Sequence, residues 1–422
     1  MNTNCNKISR FVAMRLALFL LLMLATSALA DGPASSSPSP LLKEGQPVQW
    51  WFVFKFNTKT FPECGGSIER KCIFGGEAPA YEPGYSQQFV YASKDAPTLQ
   101  QGSGACVGDT TADPVGATFN ELYNGSLHYV LWNDQFYGNP IISKGAPAGH
   151  SKGALAWDDQ GNGFVLQVST PSWPGSGSAK FPRPNDGNTL GCVKDNDVLV
   201  SQHFFALALT KSDVMAVLKA LQNASVVTDV SKPELVNNGG PADIQDLVKV
   251  LGKNSSNKTA TKETLSSGVV LISKPSDLHV PPWQMVSALL GGVSLRVASW
   301  WAKPEILSTK ATTPVKCWDA SLGKRGAVQI ATSGKWGTTV LGLDGVDDPD
   351  GNHAKIGVST SGTHRYSIFG DMNQQGSLSG PKCESSQNGR GGLFFVVEDK
   401  DLAGSITSLI KGSSGRLATT SP

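Results

Sequence analysis

The sequence is poor in charge: Asp, Glu, Lys and Arg make up 17% of its 422 residues, and histidine occurs only six times. It also has no heptad pattern and no Gly-X-Y period, which excludes a coiled coil and a collagen. Hydrophobic residues still reach 40%, enough for a large core, so wholesale disorder is excluded. The 46 glycines and 25 prolines favour many short strands and turns over long helices.

Long apolar runs are missing after the first thirty residues, and that first segment has the pattern of a secretory signal. Basic residues precede an apolar run over 16–25 and small residues that end at Ala30, which predicts a signal over 1–30, cleaved after Ala30. An uncleaved anchor is the alternative, but the run is short for a bilayer. Residues 31–44 read as a flexible leader. We expect a secreted protein with no membrane segment in its mature form, periplasmic, extracellular or lysosomal depending on the host.

Neither sign of charge is in excess once the signal is removed, because 33 basic residues then face 34 acidic ones. Phosphate affinity depends largely on Lys and Arg, so a neutral protein binds DNA weakly at neutral pH. Below about pH 6 the histidines add positive charge. A polyanionic partner would therefore be bound better in an acidic compartment.

The sequence contains no Cys-X-X-Cys, which argues against zinc and thioredoxin-type chemistry. An even number of cysteines remains after the signal, and this favours disulfides in an exported protein. These cysteines are Cys64, Cys72, Cys106, Cys192, Cys317 and Cys383. Their spacing leaves the connectivity open.

Short runs rich in apolar and β-branched residues predict strands along most of the chain. The predicted strands are 49–56, 89–92, 127–132, 164–168, 197–208, 269–272, 327–330, 338–341, 355–358, 366–369 and 393–397. Helices are predicted from Ser212, from Pro241 to Gly252, after Pro282 and over 402–410, with a polar loop over 253–263. This order indicates an α+β fold of two β-rich halves, 45–235 and 236–415, with flanking helices and a seam near 225–265.

Two histidines share one local pattern. His150 and Lys152, like His353 and Lys355, stand two residues apart at the start of a strand–turn–strand stretch, which indicates an internal duplication. Residues i and i+2 of a strand point to the same side, so each pair sets a proton-transferring nucleophile beside a cation. Two such pairs around one phosphodiester could attack phosphorus with one imidazole and protonate the leaving oxygen with the other, while the lysines stabilise charge.

Around these pairs the chain resembles the deoxyribonuclease II family of acid endonucleases. The segments that carry the resemblance lie in both halves and are residues 45–56, 127–135, 149–153, 169–174, 353–355, 370–373 and 390–392. The middle of the chain, 220–300, is too generic to compare.

The resemblance implies a phospholipase D-like fold and metal-independent cleavage of double-stranded DNA in acid, leaving 3′-phosphate ends, with no cofactor. It implies that His150 and His353 are nucleophile and general acid, in either order, and that Lys152 and Lys355 bind phosphate. The further residues that it places at the substrate are Asn373, Asp371, Asn133, Gln135 and Ser169. Many members carry a histidine where this chain has Val168, which puts a three-histidine mechanism in doubt. The sequence leaves open whether two chains associate as a homodimer.

Two other functions fit parts of the sequence. Residues 149–153 also satisfy Gly-X-Ser-X-Gly, the nucleophile elbow of α/β-hydrolases, which would make Ser151 the nucleophile of a secreted esterase. The preceding Gly/Ala/Pro segment and the turn over 158–163 contradict the strand and helix that an elbow needs. A catalytically inactive homologue that binds nucleic acid or sugar is the second alternative, because ten tryptophans could supply a binding face.

Acidic residues over 347–350 precede His353, and we expect them to raise the pKa of that histidine. The remaining histidines lack partners in sequence and are predicted to be structural. They are His128, His203, His279 and His364.

Overall fold

The computed structural model describes residues 37–61, 88–102, 106–108, 110–136, 144–171, 173–174, 177–182, 199–301 and 305–419. Strands dominate this part of the chain. They are β1 Trp50–Lys55, β2 Phe89–Ser93, β3 Gln100–Gln101, β4 His128–Asn133, β5 Lys152–Trp157, β6 Gly163–Val168, β7 Gly177–Ser178, β8 Phe181–Pro182, β9 Gln202–Leu209, β10 Val236–Asn237, β11 Thr261–Thr264, β12 Val270–Lys274, β13 Leu295–Ala298, β14 Val328–Ile330, β15 Ser333–Trp336, β16 Thr339–Gly342, β17 Ile356–Ser359, β18 Tyr366–Gly370 and β19 Gly392–Glu398.

Helices are fewer and short, as the glycine and proline content predicts. They are α1 Pro114–Tyr123, α2 Lys211–Asn223, α3 Ala242–Val248, α4 Pro282–Leu289 and α5 Lys400–Leu409. α2 begins with a capping box, in which Thr210 accepts from the N–H of Asp213 and the Asp213 side chain accepts from the N–H of Thr210. The α+β class expected from the sequence is thus confirmed.

Two large sheets organise the fold, and they share one strand order. The first sheet runs β10-β4-β5-β6-β9-β1-β2-β3, and the second runs β14-β13-β17-β18-β19-β12-β11. Strands β4-β5-β6-β9-β1-β2 of the first therefore correspond, position by position, to β13-β17-β18-β19-β12-β11 of the second. All pairings among these corresponding strands are antiparallel.

The two sheets pack against each other through stacked aromatic rings. Phe52 of β1 and Phe205 of β9 stack on Phe369 of β18, with ring centroids 4.5 Å and 4.7 Å away. Phe205 also meets Phe395 of β19 at 5.6 Å. All four rings are buried. Fully burying one such side chain stabilises a fold by about 1.5–3 kcal/mol. The four rings therefore stabilise the contact between the sheets and, with it, the position of β1 and β9 relative to β18 and β19.

Most of the predicted strands are confirmed within one to five residues at their ends, but several elements differ from expectation, among them α1, β13, β11 and the unpredicted strand β15. Helix α1 was not predicted, although Asp113 caps it and Pro114 opens it. β13 was not predicted, because Arg296 interrupts its apolar pattern. β11 extends into the predicted loop 253–263, where its exposed polar residues pair with β12 at the edge of the sheet.

A disulfide joins Cys317 and Cys383, with Cα atoms 5.2 Å apart, and Cys106 is also disulfide-bonded. Cys64, Cys72 and Cys192 lie outside the described residues, as do the predicted signal and residues 31–36 of the predicted leader. A search of the described residues found no helix with the length and apolar character needed to cross a membrane.

Candidate active site

The two His-x-Lys pairs lie at corresponding places, just before β5 and β17, and all four side chains are buried. Sequence reasoning put the histidines on strands, whereas both precede one. The reason is that each histidine N–H bonds across to the other sheet: His150 N donates to Gly391 O at 2.8 Å, and His353 N donates to Ser201 O at 2.7 Å. Gly391 and Ser201 themselves directly precede the corresponding strands β19 and β9.

The imidazole rings are fixed by the same crossed arrangement. His150 Nδ1 lies 2.8 Å from the carbonyl oxygen of Asp371, after β18, and His353 Nδ1 lies 2.8 Å from the carbonyl oxygen of Ser169, after β6. A carbonyl can only accept, so this geometry puts the proton on each Nδ1. Lys355 Nζ also lies 3.1 Å from Nδ1 of His353. In each neutral ring Nε2 then holds the lone pair and is the atom able to attack or to take a proton.

The lysines are held differently. Lys152 Nζ forms a 2.7 Å ion pair with Asp134, and both side chains are almost fully buried. Lys355 Nζ donates to the carbonyl oxygen of its own His353. Arg390 Nη2 lies 2.9 Å from the second oxygen of Asp134 and also donates to the carbonyl oxygen of Gly149, directly before His150. Burial would raise the pKa of Asp134, but Lys152, His150 and Arg390 hold it well below its usual value.

These surroundings lower the pKa of both catalytic candidates. For His353 the causes are burial first, then the positive charges of Lys355, Lys152 and His150. For His150 they are burial and Lys152, with Asp134 acting in the opposite direction. The two pairs are neighbours in the hydrogen bonding: His150 bonds Asp371, Asp371 bonds Gln167, and His353 bonds Ser169, two residues after Gln167. Both rings are therefore neutral at neutral pH, and a proton enters only in acid or against a bound anion.

The expectation that residues 347–350 raise the pKa of His353 is wrong, because burial and the positive charges around the ring lower that pKa well below its usual value. Asp350 instead forms a 2.7 Å ion pair with Lys59. Burial and the charge of Lys152 lower the pKa of Lys355, and the Asp347 carboxylate acts in the opposite direction. It also accepts a 3.0 Å hydrogen bond from Trp300 Nε1, whose ring meets the His353 ring edge to face at 5.9 Å.

A buried polar network connects the two His-x-Lys segments beneath the rings. The Asp371 carboxylate accepts from Ser151 Oγ at 2.5 Å, from Gln167 Nε2 at 2.9 Å and from the N–H of Leu393 at 3.0 Å. Gln167 Oε1 in turn lies 3.3 Å from Nε2 of His203, whose Nδ1 accepts from the N–H of Lys355 at 3.1 Å. Burial raises the pKa of Asp371 to about 6 against the effect of these donors. His203, which was predicted to be structural, thus connects the two halves of the site.

The other residues expected at the substrate divide into two groups. Asn373 lies at the reacting face, with Nδ2 3.5 Å from His150 Nε2, and its Oδ1 is buried without a hydrogen-bond partner in the described part of the chain. Ser169 Oγ donates to Gln202 at 2.6 Å. Asn133 donates to the carbonyl oxygens of Thr170 and Trp173. Gln135 is half-buried and its N–H donates to Asn133 Oδ1 at 2.8 Å. Asn133 and Ser169 thus hold the segment beside His353.

Sequence reasoning missed Asp134, Arg390 and Trp300 as members of the site. Asp134 and Arg390 stand in segments that carried the family resemblance, but a buried ion pair between residues 256 positions apart has no local signature. Trp300 was counted only among the ten tryptophans, and it is half-buried beside His353. Among the described residues, no group of three or more His, Cys, Asp or Glu could hold a metal ion.

The esterase alternative is contradicted by the surroundings of Ser151. A nucleophile elbow places its serine between a strand and a helix, with histidine as the base. Ser151 is followed directly by strand β5, and its hydroxyl donates to the Asp371 carboxylate while accepting from Trp132 Nε1 at 2.8 Å. A serine that donates to a buried carboxylate and starts a strand lacks the base that would activate it.

Comparison with known proteins gives one family. The family model described as Deoxyribonuclease II matches residues 39–414. The chain is 30% identical over 158 residues to Deoxyribonuclease-2-alpha of Rattus norvegicus, which covers 35% of this chain and 39% of that protein. It is 30% identical over 157 residues to Deoxyribonuclease-2-alpha of Bos taurus, covering 35% and 38%. These alignments thus span about two fifths of the length of the curated relatives.

Proposed function

The chain belongs to the deoxyribonuclease II family, and we propose on that basis that it hydrolyses phosphodiester bonds of double-stranded DNA in acid, through its two His-x-Lys pairs. The observation that carries the proposal is the crossed fixation of His150 and His353, each with Nδ1–H on a carbonyl of the other sheet and Nε2 left for chemistry. The shared strand order of the two sheets supports a phospholipase D-like fold of two halves. The boundary proposed between 45–235 and 236–415 moves past β10, because Val236–Asn237 pairs with β4 in the first sheet.

The reaction we propose has two displacements at phosphorus. Nε2 of one histidine attacks phosphorus, and the bond to the 5′ oxygen of the next nucleotide breaks while the other histidine, protonated, gives its proton to that oxygen. The phosphoryl group then remains on the histidine and on the 3′ oxygen. A water, deprotonated by the second histidine, breaks the phosphorus–nitrogen bond and leaves a 3′-phosphate end, which restores both rings.

The charges around the histidines suit a phosphodiester anion. Lys152, Lys355 and Arg390 face the carboxylates of Asp134, Asp371 and Asp347. Because burial raises the pKa of Asp371 to about 6, its protonation in acid leaves an excess of positive charge for the phosphoryl oxygens. Among the described residues, the amide oxygen of Asn373, beside His150 Nε2, has no hydrogen-bond partner, which supports a contact with the substrate. Contacts of this kind recognise phosphate rather than base sequence, so sequence preference should be slight.

The acid requirement follows from the direction of the histidine pKa values. Because both values are lowered in the free protein, the protonated form needed as general acid is scarce at neutral pH. Acid supplies that proton, and the bound phosphate adds a negative charge that raises the pKa of the nearest ring. We propose export by the signal over 1–30 to an acidic compartment or medium.

The test is plasmid digestion from pH 4 to 8 in EDTA with the wild type, His150→Ala and His353→Ala. Each substitution should reduce cleavage by about 10²–10⁴-fold, the range for loss of one acid–base group. His364→Ala is the matched control, since this exposed histidine pairs with Glu398 away from the site. Full activity in either site variant, or dependence of the wild type on a divalent metal, would refute the proposal. Labelling of Ser151 by a fluorophosphonate would instead favour an esterase.

A further inference from the structure

Two buried lysines outside the His-x-Lys pairs occupy corresponding positions in the two sheets. Lys55 is the last residue of β1, Lys274 is the last residue of β12, and both are 0% exposed. Lys55 stands opposite Gln202, the first residue of β9, and Lys274 stands opposite Gly392, the first residue of β19. The two ammonium groups therefore meet equivalent turns.

Their hydrogen bonds repeat in the same way. Lys274 Nζ donates to the carbonyl oxygens of Pro275 at 3.2 Å, Asn388 at 2.8 Å and Arg390 at 2.8 Å. Lys55 Nζ donates to the carbonyl oxygens of Phe56 at 3.0 Å and Val200 at 2.6 Å. In each case one acceptor is the next residue along the chain, and another stands two residues before the opposing strand.

The residue between that acceptor and the strand is the one that holds a catalytic histidine. Gly391, directly after Arg390, accepts the N–H of His150, and Ser201, directly after Val200, accepts the N–H of His353. Lys274 thus fixes the carbonyl of Arg390, next to the Gly391 carbonyl that holds His150. Lys55 fixes the carbonyl of Val200, next to the Ser201 carbonyl that holds His353. The backbone at Gly391 is closely packed, since a Cβ there would come within 2.1 Å of the carbonyl oxygen of Ala224.

We propose that Lys55 and Lys274 are a matched pair of positioning residues, Lys274 for His150 and Lys55 for His353. The proposal rests on the proposed function for its catalytic meaning, but its structural content can be tested without activity.

A lysine suits this task because one ammonium carries three donors and can gather several carbonyls that would otherwise be buried unpaired. An apolar side chain would be more stable than a lysine at a fully buried position, since a buried charge costs free energy unless it is well hydrogen-bonded. That a lysine occurs at both equivalent positions indicates that its hydrogen bonds are needed to hold the two turns in place. Burial lowers the pKa of Lys274 to about 7, against the Asp277 carboxylate, so the donor-rich ammonium form is complete in acid.

The experiment compares Lys274→Met and Lys55→Met in the full-length protein, with ¹⁵N-labelled histidine and NMR of the imidazole nitrogens. The His150 and His353 signals are assigned from the two alanine variants. We expect Lys274→Met to move the His150 signals and leave those of His353, and Lys55→Met to do the reverse. The control is Lys262→Met, which removes an exposed ammonium that also donates to a carbonyl, that of Leu289, and should move neither.

Kinetics on plasmid DNA provide the second measurement. A misplaced reacting group costs on the order of 10²-fold in rate, so kcat should fall by that factor in either variant while KM changes little. Should a methionine variant fail to fold, Lys274→Gln and Lys55→Gln, which keep amide donors, are expected to give smaller changes with the same selectivity. Equal shifts of both histidines in every folded variant, or no shift at all, would overturn the proposal. If the wild type does not cleave DNA but each lysine variant still shifts the signals of its own histidine alone, the proposed function is refuted and the positioning role of the two lysines stands.

Discussion

Asp134 is the point where removal of one charge should have the largest effect. Its carboxylate contacts Lys152 Nζ at 2.7 Å and Arg390 Nη2 at 2.9 Å. At an effective dielectric constant of about 20, each pair has a Coulomb energy of about 6 kcal/mol, most of it offset by loss of hydration. Asp134→Asn keeps the shape and leaves two buried cations with an amide. We expect a loss of about 3–5 kcal/mol in the free energy of unfolding.

The direction of the Asp134 pKa shift determines how this loss of stability depends on pH. The pKa of Asp134 is lower in the folded than in the unfolded protein, so its stabilisation is present above the unfolded pKa near 4 and is lost only as pH falls through the folded value. The difference between wild type and variant should therefore be the same at pH 5 and pH 7. Because Asp134 raises the pKa of His150, the activity profile of the variant should move to lower pH.

Urea unfolding at both pH values and plasmid cleavage over pH 4–8 measure these effects. Asp159→Asn is the control, since this carboxylate is exposed and pairs with His128 at 2.8 Å. Exposed pairs contribute about 0–1 kcal/mol. An Asp134→Asn protein as stable as the control, with an unchanged activity profile, would show that the buried cluster does not balance charge as we argue.

Three further predictions concern the network and the disulfide. Gln167→Leu removes the amide that bonds Oδ1 of Asp371 and Nε2 of His203, while the other hydrogen bonds of both residues remain. Urea unfolding should therefore show a loss of about 1–3 kcal/mol for each buried atom left unsatisfied, and an unchanged midpoint would contradict the network. The pKa of Asp371, raised to about 6, favours folding as pH falls, so the stability of wild type relative to Asp371→Asn should rise by about 1 kcal/mol from pH 7 to pH 5; a constant difference would place the pKa elsewhere. Replacing both Cys317 and Cys383 by Ala opens a loop of 66 residues and should cost about 4 kcal/mol in the same assay, whereas a negligible cost would show residual structure in the unfolded chain.

Local patterns predicted the strands well because most of them are buried and apolar. They failed where tertiary contacts overrule local composition. β13 contains Arg296, which is buried because its guanidinium donates to the carbonyl oxygens of Ile410, Gly412 and Ser413. Nothing in the residues around Arg296 announces those acceptors, which come from the far end of the chain. α1 was missed because Gly116, Thr118 and Asn120 dilute its apolar stripe, while the cap at Asp113 decides its start.

The part of the candidate site that occurs twice in the sequence could be predicted. Two His-x-Lys triplets at matching places are visible in the sequence, and the family resemblance added Asn373 and Asp371. The groups that orient the rings could not be found in this way, since backbone carbonyls carry no residue signature. Asp134 and Arg390 escaped because charge balance in a buried cluster depends on which distant segments meet.

The crossed hydrogen bonds make each histidine dependent on residues that it does not share a sheet with. His150 is oriented by Asp371 and Gly391, and His353 by Ser169 and Ser201. Neither sheet by itself could orient even one of the two histidines. Under the proposed function we expect an isolated half to be inert and a chain cut between the halves to regain activity only as fast as the fragments associate, so that DNA cleavage would report their reassembly.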